Sequence, residues 1–247
     1  MAQIIRMIWR LDYEVSYAYL DKRGAALNAM SNTVEKFWES LGDGTVHSSY
    51  VGNTTKEGSS RFISLEPNSL NGDIEWTAGT ELKSVLRDPS FRGTNSVVNE
   101  LLKVCDIRSV VRAGLRLFCI SKFADGKRGR DRIITQLDDH VRSLASASLG
   151  PIDDVGFILE GTTADNIGYR ANFGPYAEKN VLMSLRNKPN SDNLKVMGEA
   201  DLFFDIDLFE TNFSFSEHSL FRWAETKVAK GINFIAKYSG DFGKSKK

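Results

Sequence analysis

The sequence predicts an α+β protein in which antiparallel sheet, as one sheet or two, carries long helices on one face. Three observations lead there. Ile5, Met7, Trp9, Leu11, Tyr13, Val15, Tyr17 and Tyr19 are apolar at every second position, and the mostly polar Arg6, Ile8, Arg10, Asp12, Glu14, Ser16 and Ala18 lie between them. A period of two sends alternate side chains to opposite faces, so the run reads as a long strand with one face on a core and one face wet, which favours antiparallel pairing. Four other segments carry apolar residues at spacings of three and four, the mark of amphipathic helices. The order of pieces then recurs, strand–helix–strand–strand–strand–helix, in 1–106 and again in 107–247.

Each element follows from local chemistry. The first strand is far longer than the usual five or six residues, so a bulge, a bend or two collinear strands are expected in it. Leu27, Met30, Val34, Phe37, Trp38 and Leu41 predict a helix over about 22–41, stopped by Gly42. Short strands are expected near 45–51, 60–66 and 72–77, divided by Gly52-Asn53 and by Pro67-Asn68-Ser69. A loop through Arg87-Asp88-Pro89 leads to a helix at about 95–105 bearing Val97, Val98, Leu101 and Leu102.

In the second half a strand over about 108–123 places Val111, Ala113, Leu115, Leu117 and Cys119 on one face and Arg108, Arg112 and Arg116 on the other. A helix follows near 130–146, then strands near 154–162, 166–174, 179–186 and 198–210. In the last of these Leu202, Phe204, Ile206 and Leu208 share one face and Asp201, Asp205 and Asp207 the other. A helix near 215–238 opens on Ser214-x-x-Glu217, a capping-box pattern, and buries Phe221, Ala224, Val228, Ile232 and Ile235. The two halves are expected to form two sheets, or one continuous domain with a continuous sheet, related by a pseudo-two-fold.

Composition narrows the function. With 247 residues, 41% apolar and 26% charged, the chain reads as an ordinary globular protein. Thirty-two basic residues balance 32 acidic ones, so no global field draws it to nucleic acid or anionic lipid. Cys105 and Cys119 are expected to be reduced, buried, small hydrophobes. Arg6, Arg10 and Asp12 break the N-terminal apolar run, which argues against a secretory signal, and no apolar stretch suffices for a membrane span. A cytoplasmic protein with no membrane partner is expected.

Catalytic motifs are scarce. His47, His140 and His218 form no zinc pattern, and neither a nucleophile elbow nor a kinase signature occurs. Gly243-Lys244-Ser245 ends like a phosphate loop, but Tyr238 stands where its first glycine belongs. The opposed arginine and aspartate faces invite cross-strand ion pairing. The competing readings are anion binding by Arg112 and Arg116, joined by Lys127, Arg128 and Arg130 of the basic loop 122–132, and a divalent metal held by Asp205 and Asp207. The sequence implies no cofactor. Most aromatic residues fall on core stripes, with Tyr169 and Phe173 as candidate exceptions.

The run Asp106-Ile-Arg-Ser-Val-Val-Arg-Ala-Gly-Leu-Arg116 resembles the strand and R-x-G-L-R signature of a sporadically distributed bacterial family of uncharacterised proteins. Arg112, Gly114, Leu115 and Arg116 carry the resemblance, together with the order of elements and the helix start at Ser216-Glu217-His218. The family's proline-rich N-terminal opening is missing here. The resemblance implies patchily inherited genes in mobile or defence-linked neighbourhoods, and no activity or catalytic residue.

Three functions follow as expectations. The first is a non-enzymatic protein-interaction module that binds a protein partner or a second copy of itself. The second is an anion, nucleotide or nucleic-acid sensor using the basic loop with Arg112 and Arg116. The third is a metal-dependent phosphoester enzyme using Asp205 and Asp207.

Overall fold

Residues 2–16, 21–32, 40–42, 50–56, 58–122, 131, 133–134, 143, 145, 147–148, 150, 155–175, 202–215 and 219–243 are described by a computed structural model. They form β1 (Ala2–Asp12), α1 (Arg23–Asn32), β2 (Ser40–Gly42), β3 (Tyr50–Lys56), β4 (Ser59–Leu65), β5 (Ser69–Glu81) and α2 (Pro89–Val104). Then come β6 (Ser109–Ser121), β7 (Phe157–Thr162), β8 (Gly168–Pro175), β9 (Leu202–Ser214) and α3 (Ser219–Gly243). The strands make one antiparallel sheet in the order β2-β3-β4-β5-β1-β6-β9-β8-β7, an α+β architecture.

Alternation in β1 and β6 sets the core. Met7, Trp9 and Leu11 pair across to Leu117, Leu115 and Ala113, all fully buried, beneath α2 and α3. Trp9 stacks on Phe91 of α2 with ring centroids 5.6 Å apart. Gly72, beside Trp9 on β5, lets Thr94 and Val98 of α2 approach the sheet: a Cβ there would meet the Val98 methyl at 3.2 Å. Gly231 does the same for α3, where an added Cβ would fall 2.4 Å from Leu117 Cδ1.

Outward from the central β1–β6 pair, the strand order is the same on both sides: β1-β5-β4-β3 in one direction and β6-β9-β8-β7 in the other. Register carries the likeness to single residues. Arg6 lies opposite Glu75 and Arg116 opposite Asp207, while the pairs Arg6/Phe118 and Ile8/Arg116 flank the centre. A pseudo-two-fold between Met7 and Leu117 therefore relates Arg6 to Arg116, Asp73 to Asp205 and Glu75 to Asp207.

Several boundaries differ from the sequence reading. β1 has a bulge between Ile4 and Arg6 and leaves the sheet after Asp12. Tyr13 still caps the core: its hydroxyl donates to the carbonyls of Glu66 and Ser69, and its N–H to that of Asn68. Leu41, read as helical, pairs with Gly52 in the sheet, and Gly52-Asn53 lies inside β3 rather than at a turn. The helix α2 begins at Pro89, because the Asp88 carboxylate accepts from the Ser90 and Phe91 N–H groups and Pro89 needs no donor there. Ser214 pairs with Ser109 in the sheet, so it does not cap α3. The strand at 179–186 and most of the helix at 130–146 lie outside the described residues, although Ile133 is helical and fully buried.

Helix α2 ends in a Schellman turn: Ile107 N–H bonds Leu102 O, Asp106 N–H bonds Lys103 O, and Asp106 takes the left-handed conformation at φ 54°. A β-carbon is disfavoured there, and the Asp106–Arg108 pair is mostly exposed. Asp106→Gly is expected to raise stability by about 0.5–1 kcal/mol, measured as an increase in urea midpoint at constant slope; a decrease would show that the carboxylate matters more than the backbone.

Candidate functional site

The face of the sheet opposite the helices is built by the other parity of each strand. On β1 it carries Arg6, Ile8 and Arg10; on β6 Arg112, Gly114, Arg116 and Phe118; on β9 Phe203, Asp205, Asp207 and Phe209. Strands β8 and β7 add Arg170 and Asn172, and Ile158 and Glu160. A strand face reached by water would normally be simply polar. This one alternates arginine, carboxylate and phenylalanine.

The arginine and aspartate faces do meet. Arg116 donates Nε and Nη2 to the two oxygens of Asp205, both at 2.6 Å, a bidentate pair. Arg112 Nη2 binds Asp207 Oδ2 at 2.6 Å, and Arg170 Nε lies 3.1 Å from Glu160 Oε1. On the related side Arg6 grips Asp73 through Nε at 3.1 Å and Nη2 at 2.6 Å, with Glu75 3.5 Å from Nε. Each of these two bidentate pairs runs diagonally: Arg116 sits opposite Asp207 but holds Asp205, and Arg6 sits opposite Glu75 but holds Asp73.

Aromatic rings lie beneath the guanidinium groups. Arg112 lies over Phe209 at 4.8 Å, Arg116 over Phe118 at 4.9 Å, and Arg6 over Phe118 at 5.8 Å. Phe118 in turn stacks on Phe203 with centroids 6.2 Å apart. Flat guanidinium groups over rings keep the stems packed and the charges aimed at carboxylates.

These contacts tune the charges. The bond to Asp205 holds the Arg116 guanidinium above its ordinary value, so it stays a cation. Burial pushes the Asp207 carboxyl above the usual carboxylate range, and the Arg112 charge offsets only part of that. Asp205 and Asp207 thus face guanidinium groups, and among the described residues no three His, Cys, Asp or Glu side chains cluster as metal ligands.

Other candidates lie elsewhere. Lys127, Arg128, Arg130, Asp201 and the three histidines are outside the described residues. Arg108, on the arginine face by sequence, pairs with Asp106 beyond the sheet. Val111 is half-exposed while Val110 is buried, the reverse of the expected parity, and Asn212 of the partner strand takes a left-handed conformation at φ 51°. Cys105 and Cys119 are free and buried; burial pushes the Cys105 thiol up to about 11 and that of Cys119 higher still. Phe173 is core, stacked between Phe157 and Phe204.

Two features escaped the sequence reading. Phe118, Phe203 and Phe209 share the parity of the charged residues, a signal that was present. Ile158, on the same face at the outer strand, is 65% exposed. No family profile and no curated protein matches the chain. Among the described residues, no helix is long and apolar enough to cross a membrane.

Proposed function

We propose that this chain is a non-enzymatic interaction protein, cytoplasmic, whose binding surface is the face of β6, β9, β8 and β7 opposite the helices, and that the occupant is a second copy of the chain. The observation that carries the reading is the charge arrangement. Arg112, Arg116 and Arg170 are matched by Asp207, Asp205 and Glu160, each pair closed within the chain. A face with equal positive and negative charge, already paired, loses less on leaving water than one of lone charges, and it is complementary to itself.

Composition supports this reading. Arginine and aromatic residues are the types that anchor protein interfaces; Ile158 is exposed, and Phe203 and Phe209 are half-buried on the same face.

Anion binding by Arg112 and Arg116 fits less well, because both guanidinium groups would have to leave carboxylates. A phosphoester enzyme at Asp205 and Asp207 would have to displace the same arginines.

Light scattering across a concentration series tests the proposal. The chain is expected to give twice the monomer mass at tens of micromolar, and Ile158→Asp to weaken association at least tenfold without altering the melting temperature. A monomer at every concentration, or a variant that dimerises equally well, would overturn it. A loss of association in proportion to bound polyanion, reversed by salt, would favour the sensor reading instead.

A further inference from the structure

On the helix side, the second half carries a half-open cavity of about 490 Å³ between α3 and strands β7, β8 and β9. Its walls are apolar: Leu159, Ala171, Ile206, Leu208, Phe234 and Tyr238 among them. Its rim on α3 carries Lys230, Asn233 and Lys237.

The pseudo-two-fold explains why this space is open. Pairing places Ala171 opposite Ile206 and Tyr169 opposite Leu208, and in the first half Arg61 opposite Ile74 and Ser59 opposite Trp76. Ala171 therefore stands where the first half has Arg61, and Leu208 where it has Trp76. Arg61 and Trp76 are both buried, 4% and 5% exposed, and fill their side. Tyr169, in place of Ser59, lies across Gly161 of β7, where its hydroxyl would be 2.8 Å from an added Cβ, and forms only part of the wall. Arginine and tryptophan give way to alanine and leucine, and serine to a tyrosine that lies toward Gly161, beneath a helix that still spans the gap.

The rim has a charge preference. Lys230 is bonded to Asp165 across the mouth, so that pair is neutral. Lys237, two turns further along α3, is exposed at the edge of the same cavity and makes no ion pair among the described residues. A half-open apolar pocket in the usual range of about 300–1,000 Å³ with a cation at its edge that is unpaired among the described residues suits a single-chain amphiphile with an anionic head.

We infer that the cavity beneath α3 binds a medium-chain fatty carboxylate, its hydrocarbon chain against Ala171, Ile206, Leu208 and Phe234 and its carboxylate at Lys237. This goes beyond the interaction surface, which lies on the opposite face. Isothermal titration with octanoate, decanoate and dodecanoate tests it. Stoichiometry is expected to be one per chain, with affinity rising roughly three- to fourfold per methylene. Lys237→Ala is expected to weaken dodecanoate about two- to fivefold at low salt and to leave dodecanol unchanged.

Leu208→Trp, which copies the first half, is expected to abolish binding while the melting temperature is kept; if that variant fails to fold, Ala171→Leu serves the same purpose. Absence of binding at millimolar dodecanoate, indifference to chain length, or full binding in the folded filling variant would overturn the inference.

Discussion

Glu210→Gln lowers the stability of the fold by about 3–5 kcal/mol at neutral pH. Glu210 lies on the core-facing parity of β9, where its carboxylate accepts from the Trp223 indole at 3.2 Å and from the Lys227 ammonium. Lys227 is 2% exposed, with Trp223 alongside at 5.4 Å. Removing the carboxylate charge leaves a buried ammonium without its bonded counter-charge, offset only by the more distant Asp165, a far larger penalty than losing a surface pair. Lys227→Met should cost much less, about 1 kcal/mol, because Glu210 is partly exposed and keeps its bond to Trp223.

The pH dependence separates these effects. Burial lowers the Lys227 ammonium below its ordinary value of 10.5, and Glu210 offsets part of that. Between the lowered folded value and the unfolded one, the unfolded chain binds more protons, so stability contributed by this group rises with pH. Glu210→Gln removes the offset, lowers the folded value further and widens that window. The variant should therefore recover stability relative to wild type as pH is raised from 7 toward 10, read as converging urea midpoints. Parallel midpoints would mean that Lys227 finds another partner.

Trp9→Ala should destabilise by about 3–5 kcal/mol. Trp9 is fully buried at the centre of β1, stacked on Phe91 and in contact with the space over Gly72, so its loss opens a void between the sheet and α2. Its neighbours are held by the sheet ladder and by α2, and cannot collapse to fill it. Chemical denaturation checks the value, and a loss under 1 kcal/mol would show that α2 settles into the gap.

The sequence made the faces of the long strands legible, because alternation over β1, β6 and β9 leaves few choices of parity. Opposite signs on β6 and β9 likewise made their pairing legible. Which arginine takes which aspartate was not, since the bidentate contacts run diagonally and depend on sheet twist and side-chain direction. Asp88-Pro89 is a readable helix start, but apolar periodicity becomes clear only several residues later, so periodicity alone places the helix late. Gly52-Asn53 misled because a turn-like dipeptide can sit in mid-strand when its neighbours pair on both sides. Glu210 carried a signal, a charge on the apolar parity of β9. The cavity carried none in one segment alone: it needs the register that sets Ala171 against Arg61 and Leu208 against Trp76.

Hydroxyl-radical footprinting of dilute and concentrated protein addresses the proposed interface most directly. Self-association through the face opposite the helices predicts concentration-dependent protection of Ile158, Phe203 and Phe209, with Tyr238 of α3 unchanged. Reactivity of those three residues that does not vary with concentration, or protection confined to α3, would contradict it.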